Sequence, residues 1–192
     1  DQDIVQTELL LADLQTLEKI KEKLNRFLKT GEERYKDELQ LAEYVMDQLN
    51  EGVVARSLPL NREEQKLLQD WWLLTSLPVL YCANVSPEQF MEIVATGDTV
   101  PPDSPYGGLQ ALAQAEGAGC IAIAAQLEAE LQELDDAERQ EFLVELGIPD
   151  SGLDRLVKAA YQQLDLVTFY TVKGPETRAW IIPRGTKAPQ AA

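Results

Sequence analysis

A short apolar run that ends in an amide side chain constrains this sequence more than any other stretch. Residues 79–84 read Val-Leu-Tyr-Cys-Ala-Asn, follow a proline and precede Val85-Ser86-Pro87. A continuous apolar run bounded in this way is typical of a strand buried on both faces of a parallel sheet. Because ligands bind beyond the carboxyl ends of such strands, Asn84 stands where a nucleobase could be recognised. The alternative is that Asn84 only turns the chain after a core strand.

Further strand and helix patterns follow the order expected for an α/β fold. Cys120–Ala124 is a second apolar run and is predicted to be a strand. Asn61 and Ser86 each precede a Glu or Gln by three residues, which predicts capped helix starts. The pair Trp71-Trp72 is predicted to lie in the core. The other predictions are a surface loop over 96–108 and helices over 109–116, 127–134, 136–146 and 151–164.

The two ends of the chain differ from this central part. Apolar positions three, four or seven residues apart predict helices over Ile4–Leu28 and Tyr35–Leu49, joined near Thr30-Gly31 as an antiparallel hairpin. Such a hairpin buries only one seam, so we expect it to project as an arm. Near the other end, Leu166–Val172 and Thr177–Ile182 are rich in β-branched and aromatic residues, which predicts a β-hairpin that begins a small module.

Composition excludes several classes of site. The chain has no histidine, which excludes imidazole catalysis and histidine metal sites. Its apolar runs all fall short of the ~18 residues of a membrane span, so we expect no membrane partner. The two cysteines, Cys82 and Cys120, lie in the strand-like runs and are predicted to be buried, reduced thiols. Together with an acidic start unlike a signal peptide, they favour a cytoplasmic protein without a metal cluster.

The net charge of −16 repels nucleic acid on average, so contact with RNA would need a local basic patch. Seven of the seventeen basic residues lie close together around the turn of the arm. These basic residues are Lys19, Lys21, Lys23, Arg26, Lys29, Arg34 and Lys36, and the interleaved acidic residues are Glu18, Glu22, Glu32 and Glu33. The alternative to an RNA contact is an ordinary solvated helix face.

Several short motifs, in order along the chain, carry a family resemblance. The most specific are Arg178-Ala179-Trp180 and the tail Gly185-Thr186-Lys187-Ala188-Pro189-Gln190-Ala191-Ala192. Further matches lie at residues 7–9, 11–14, 127–131, 151–156, 160–161 and 169–171. Together they resemble the YchF/Obg-like ATPase family, within the translation-factor-related P-loop GTPases, and the resemblance covers the whole chain.

The resemblance implies an α/β fold with three regions. These are a helical arm with a flanking helix over 1–60, the C-terminal part of a P-loop NTPase parallel sheet over 61–165, and the start of a β-grasp-like TGS domain over 166–192. The sequence contains no G-x-x-x-x-G-K-[ST] phosphate loop, which in this family lies upstream. We therefore expect a central fragment of a longer protein that uses ATP or GTP with Mg²⁺. Alone, it should be catalytically inert and bind no cofactor tightly.

Residue by residue, the resemblance also implies a purine-base site. Asn84-Val85-Ser86-Pro87 matches the base-reading motif that ordinary GTPases write N-K-x-D. Ala124-Ala125-Gln126 matches their second base-contacting loop, S-A-K, whose backbone N–H groups face the ring. The candidate base-binding residues are Asn84, Val85, Ala124, Ala125 and Gln126, with Glu88 as a further candidate.

The fourth motif position bears on base preference. The family has Glu there, whereas this chain has Pro87, and the nearest acid is Glu88, one residue later. A carboxylate would accept hydrogen bonds from N1–H and the exocyclic amino group of guanine, and a bond to a charged group contributes ~1.5–3 kcal/mol. Without that acceptor, and with apolar Val85 in place of Lys, the motif suits ATP or weak discrimination.

Three functions compete at this point. The first is part of an ATP-preferring P-loop NTPase that acts with the translation machinery. The second is a ribosome- or RNA-binding module, formed by the arm and the TGS start, without catalysis of its own. The third is an unrelated α/β scaffold in which Asn84 is a turn residue. The candidate RNA or ribosome contacts are Lys19, Lys21, Lys23, Arg26, Lys29, Arg178, Arg184 and Lys187.

Overall fold

The computed structural model describes residues 2–31 and 33–191, and its chain divides between Leu77 and Pro78 into two compact units. Three residues of the sequence features above lie outside the described residues. They are Asp1 of the acidic start, Glu32 among the acidic residues of the basic patch, and Ala192 of the tail. The predicted domain boundaries at residues 60 and 165 do not coincide with this division, and they remain predictions.

The first unit is a helical hairpin with a short helical base. Helix α1 (Gln2–Lys29) and helix α2 (Lys36–Asn50) pack together and are joined by a turn and a 3-10 segment, Glu33–Tyr35. Helix α3 (Arg62–Asp70) follows, capped by Asn61 through the predicted reciprocal bonds with Glu64. The seam contains the periodic apolar residues that the sequence predicts, among them Leu10, Leu17, Leu24, Leu41, Val45 and Leu49. We call α1, the turn and α2 the arm.

The two adjacent tryptophans of this unit have opposite environments. Trp71 is buried and donates its indole N–H to a Glu38 carboxylate oxygen at 3.3 Å. Trp72 is 83% exposed and has a φ of +54°. The prediction that both are core residues is wrong for Trp72, because α3 ends at Asp70 and the left-handed backbone turns the second ring outwards.

One buried carboxylate closes the base of the first unit. Asp13 on α1 is 1% exposed and accepts hydrogen bonds from the Leu74 N–H at 2.7 Å, the Thr75 N–H at 2.8 Å and the Thr75 hydroxyl at 2.6 Å. The Thr75 hydroxyl oxygen in turn accepts from the Ala55 N–H at 3.2 Å. These bonds fasten two short 3-10 segments, Ala55–Ser57 and Leu74–Ser76, to α1.

The second unit contains a two-stranded parallel sheet. Strand β1 (Leu80–Asn84) pairs with strand β2 (Gly119–Ile123), and Asn84 lies opposite Ile123. The connection consists of helices α4 (Pro87–Ala95) and α5 (Pro105–Ala115), and β2 is followed by α6 (Ala125–Gln132), α7 (Asp136–Glu145) and α8 (Gly152–Gln163). The main apolar cluster includes Phe90, Ile93, Tyr106, Ala122, Leu127, Leu131 and Leu143.

Helix α5 begins four residues before its predicted start, so the loop predicted over 96–108 is shorter. Ser104 caps the helix, because its hydroxyl oxygen accepts the Gly107 N–H at 3.0 Å, and Pro105 occupies the first turn. Gly107 is required by space. A Cβ added there would lie 2.1 Å from the carbonyl oxygen of Pro101.

Strand β1 is less enclosed than a strand buried on both faces. Cys82 is exposed and Cys120 half-buried, and both are free thiols. The prediction of buried cysteines is therefore wrong for Cys82. The physical reason is that α8 packs mainly against β2 and less against β1, so the Cys82 side chain stays exposed.

The end of the chain forms the predicted β-hairpin. Strands β3 (Leu166–Lys173) and β4 (Glu176–Pro183) pair antiparallel, with Phe169 opposite Trp180, and a short helix α9 (Ala188–Ala191) follows. Most side chains from Tyr170 to Ile181 are exposed on both faces. Among the residues that the structure describes, no helix has the length and apolar character needed to cross a membrane.

Candidate nucleotide-base site

The carboxyl ends of β1 and β2 bring the two predicted base-contacting loops together. Parallel pairing places Asn84 opposite Ile123, and the Val85 N–H donates to the Ile123 carbonyl oxygen at 2.9 Å. The loop after β1 therefore continues the sheet for one more residue. Because both strands end at this edge, residues 84–85 and 124–126 become neighbours although about forty positions separate them.

A hydrogen bond fixes the orientation of the Asn84 amide. Its Oδ1 atom accepts the backbone N–H of Ala125 at 3.1 Å. An N–H can only be matched by the oxygen of an amide side chain, so this contact determines which end of the amide is the donor. The Asn84 NH₂ group is left to donate to an acceptor such as purine N7.

The second loop, residues 124–126, does not have the expected arrangement in which its backbone N–H groups face a base. Ala124 is buried and occupies the N-cap position of α6, where it offers no side-chain cap. The Ala125 N–H, expected to face the base, is instead bonded to Asn84. Gln126 directs its side-chain amide along its own helix to Glu130 at 3.2 Å. Both of the groups that were expected to contact a base are thus engaged within the protein, one with Asn84 and one with Glu130.

Asn84 and Val85 line a cavity of about 410 Å³. Its other walls come from α4, the 99–101 segment and the start of α5, with Ile93 and Tyr106 among the apolar side chains. Ala125 lies on a separate pocket of about 320 Å³, beside Glu128 and α8. The structure therefore places Asn84 with Val85 in one concavity and does not place Ala124, Ala125 or Gln126 there.

Glu88, the further candidate, is held at the start of α4. Hydrogen bonds from the Ser86 hydroxyl and from the backbone N–H of Glu88 itself hold the pKa of this carboxyl below its usual range. Ser86 also caps the helix reciprocally with Gln89, and Pro87 takes the first helical position, as the sequence predicts. Glu88 is an exposed acid in the first turn of this helix, and a second acid of α4, Glu92, lines the cavity beside Asn84.

Most of the candidate RNA-contact side chains are on the surface, and several are paired with carboxylates. The ion pairs are Lys21–Glu43 at 2.7 Å, Arg26–Glu22 at 3.7 Å, Arg178–Glu176 at 3.0 Å and Arg184–Asp165 at 2.8 Å. Lys19, Lys29 and Lys187 are exposed. Lys23 lies over the Phe27 ring, with its Nζ 5.9 Å from the ring centroid.

Metal ligands were not expected in this chain. Across residues 2–31 and 33–191, no three or more cysteine or acidic side chains are grouped so that they could hold a metal ion.

Known proteins resemble this chain over its whole length. No family model matches it. It is 37% identical over 193 residues to the ribosome-binding ATPase YchF of Escherichia coli O157:H7 and 36% identical over 195 residues to that of Bacillus subtilis (strain 168). A solved structure of the Schizosaccharomyces pombe YchF GTPase matches with a TM-score of 0.75 at 25% identity.

Each of these matches covers the whole chain, which spans about half the length of the curated relatives and half of the solved structure. The matched structure confirms the α/β fold, with its parallel strand pair and helices, that the sequence predicted. Identity above one third along the entire sequence and agreement of the fold lead to one assignment: the chain belongs to the YchF/Obg-like family.

Proposed function

We propose that this chain supplies the base-reading edge of an Obg-like P-loop NTPase that prefers ATP and works with the ribosome in the cytoplasm. The observation that carries the proposal is the bond from the Ala125 N–H to Asn84 Oδ1. It couples the ends of two parallel strands, where α/β proteins bind nucleotides, and it sets an amide donor toward the ligand.

Base preference follows from the groups beside Asn84. Its NH₂ group suits N7, an acceptor that adenine and guanine share, and Val85 offers an apolar wall. Guanine also needs an acceptor for its N1–H and amino group, and Pro87 provides none at the fourth motif position, where the family has an acid. Adenine makes no such demand. The arrangement therefore favours ATP, with GTP bound weakly.

The phosphates and Mg²⁺ belong to another part of the proposed protein. The sequence contains no G-x-x-x-x-G-K-[ST] motif, so the residues of this chain fit the base but offer no phosphate cradle. Mg²⁺, when bound to the triphosphate, neutralises charge that develops on the phosphates during transfer. The chain alone is accordingly proposed to be inert: the purified 192-residue protein should release no phosphate from ATP or GTP above a buffer blank.

The names of the relatives support the ribosome as a partner. The E. coli and B. subtilis proteins are named ribosome-binding ATPases, and the S. pombe protein is named a GTPase. Both nucleotides are therefore represented among relatives, and the choice between them in this protein rests on the residues around Asn84.

The test uses the longer protein that contains this chain, with ATP and GTP affinities measured by isothermal titration calorimetry. Asn84→Ala should weaken both nucleotides about 2- to 12-fold, the equivalent of one neutral hydrogen bond at ~0.5–1.5 kcal/mol. Ala125→Pro removes only the N–H that orients Asn84, at a first helical position where proline is tolerated, and should weaken both in the same direction.

Gln126→Ala is the matched control, because this side chain is turned to Glu130 and should not affect either affinity. Unchanged affinities in both Asn84→Ala and Ala125→Pro would contradict the proposed base site. A wild-type preference for GTP of tenfold or more would contradict the adenine preference while leaving the site in place.

A further inference from the structure

Glu128 joins the second predicted base-contacting loop, residues 124–126, to the start of another helix. It lies in the first turns of α6, the helix that this loop begins. Its two carboxylate oxygens accept the backbone N–H groups of Gly152, at 2.6 Å, and of Leu153, at 3.2 Å, at the start of α8. We propose that Glu128 is a positioning residue of the base site, which holds the Ala125 N–H against Asn84 Oδ1.

The loop needs an external support because its own helix start provides none. Ala124, at the N-cap position of α6, has no side chain that could accept a backbone N–H. Asn84 Oδ1 accepts the Ala125 N–H at 3.1 Å, and the backbone N–H of Glu128 donates to the Ala124 carbonyl oxygen at 3.0 Å. A displacement of Glu128 would therefore move the loop, and with it the Ala125 N–H, relative to β1.

The start of α8 is arranged to receive this carboxylate. Ser151 occupies the N-cap position and its hydroxyl oxygen accepts the Asp154 N–H at 3.1 Å, so the two N–H groups in between are left for Glu128. Hydrogen bonds from N–H groups to a carboxylate are charge-assisted, and a negative charge at a helix N-terminus also interacts favourably with the helix dipole. The contact is therefore strong enough to hold the first turns of α6 in place.

Gly152 is needed for the carboxylate to come this close. An added Cβ would lie 2.8 Å from Glu128 Oε1 and 3.3 Å from the Cβ atom of Ile123. Ile123 ends β2, and its carbonyl oxygen accepts the Val85 N–H at 2.9 Å. The contact between Glu128 and α8 therefore adjoins both predicted base-contacting loops.

This inference rests on the proposed base site and is tested on the same longer protein, with ATP affinities from isothermal titration calorimetry. Glu128→Ala removes the support, and we expect it to weaken ATP binding about 2- to 12-fold, the range expected for Asn84→Ala. Glu128→Gln keeps one accepting oxygen and should recover part of that loss. Gly152→Ala keeps the charge but displaces the flexible end of the Glu128 side chain, so it should weaken ATP binding in the same direction.

Glu130→Ala is the matched control, because it removes the same side chain and charge from the same helix at a position that is bonded to Gln126. The double variant Asn84→Ala/Glu128→Ala separates positioning from a general structural effect. A residue that acts only through Asn84 has no effect once that amide is removed, so the double variant should bind ATP as well as Asn84→Ala does. Urea unfolding establishes that each variant remains folded.

The wild-type protein supplies a second measurement that needs no substitution. Coupling between an internal contact and a ligand is reciprocal. ATP should therefore slow the amide hydrogen exchange of Gly152 and Leu153 by the factor by which Glu128 strengthens ATP binding, about 2- to 12-fold.

The inference would be overturned by an unchanged affinity in Glu128→Ala, by an equal loss in the Glu130→Ala control, or by losses that add in the double variant. Exchange of the Gly152 and Leu153 amides that ATP leaves unaltered would overturn it as well. If Asn84→Ala and Ala125→Pro still weaken ATP binding in any of these cases, the proposed base site stands and only the role of Glu128 is wrong. If neither variant weakens it, the proposed base site fails too.

Discussion

Removing the Asp13 carboxylate should destabilise the first unit more than any exposed substitution on α1. In Asp13→Ala, three donors that now share this carboxylate lose their acceptor: the Leu74 N–H, the Thr75 N–H and the Thr75 hydroxyl. Each buried donor left unpaired costs ~1–3 kcal/mol, and neighbouring losses are not additive. We therefore expect the free energy of unfolding of this unit to fall by about 3–5 kcal/mol.

A conservative variant separates hydrogen bonding from packing. Asp13→Asn preserves the shape of the side chain but replaces one accepting oxygen by a donating NH₂ group. That group would face N–H or O–H donors, so we expect a loss of about 2–4 kcal/mol although no cavity is formed. Thr75→Val should lose less, because the two backbone bonds to Asp13 remain while the Ala55 N–H loses its acceptor.

The assay is urea unfolding of the whole chain, followed by tryptophan fluorescence and far-ultraviolet circular dichroism. Trp71 and Trp72 both lie in the first unit, so fluorescence weights that unit. Glu8→Ala, at an exposed position of α1, is the control for the loss of one negative charge. A change in the free energy of unfolding below about 0.5 kcal/mol for Asp13→Ala would refute the assignment of this carboxylate as the anchor of the base.

Three further predictions concern the second unit. Gly107→Ala should lower the free energy of unfolding of this unit by about 2 kcal/mol or more, because the new Cβ would lie 2.1 Å from the Pro101 carbonyl oxygen. Gly108→Ala, in the same helix, meets open space and should raise that free energy by up to ~1 kcal/mol. Equal urea midpoints for the two variants would contradict this prediction. Burial raises the pKa of Tyr106 to about 12. The stability that the neutral phenol contributes is therefore fully present below pH ~10, the pKa of an exposed tyrosine, and is lost as the pH rises toward 12. Tyr106→Phe should remove this alkaline loss in urea titrations between pH 8 and 11, and identical pH profiles would show that another group is responsible. In the longer protein, Pro87→Asp should shift the ratio of ATP to GTP affinities toward GTP, and a calorimetric ratio that stays constant would argue that the fourth motif position does not read the base.

Most of the secondary structure could be predicted from local signals in the sequence. The reciprocal caps at Asn61 and Ser86 act between residues three apart, so they are legible without knowledge of the tertiary structure. Ser104-Pro105 carries only part of this signal, an N-cap residue before a proline without the reciprocal partner, and the surrounding Pro, Gly and Asp residues favoured a loop. Asp13 could not be recognised, because its three donors lie about sixty positions away along the chain.

Part of the candidate site could also be predicted from local signals in the sequence. The position of Asn84 at the end of an apolar run follows from local pattern, and parallel pairing then brings residues 124–126 beside it. The use of the Ala125 N–H could not be predicted, since it depends on the distance between two loops that only the folded sheet determines. The exposure of Cys82 was not predicted, because an apolar run in the sequence does not show how much of the strand a helix will cover.

The Asn84–Ala125 bond also has a consequence for the thermodynamics of the empty site. A surface amide normally samples several rotamers and both flip states, and a ligand that uses it must first restrict that freedom. Here the restriction is made by the backbone of the neighbouring loop before any base arrives. A purine would therefore meet a donor whose side-chain entropy has already been lost on folding, which lowers the ordering cost of association. In the proposed base site, we would expect the contribution of Asn84 mainly in the dissociation rate of the nucleotide, because affinity differences between variants of one site lie mostly in that rate.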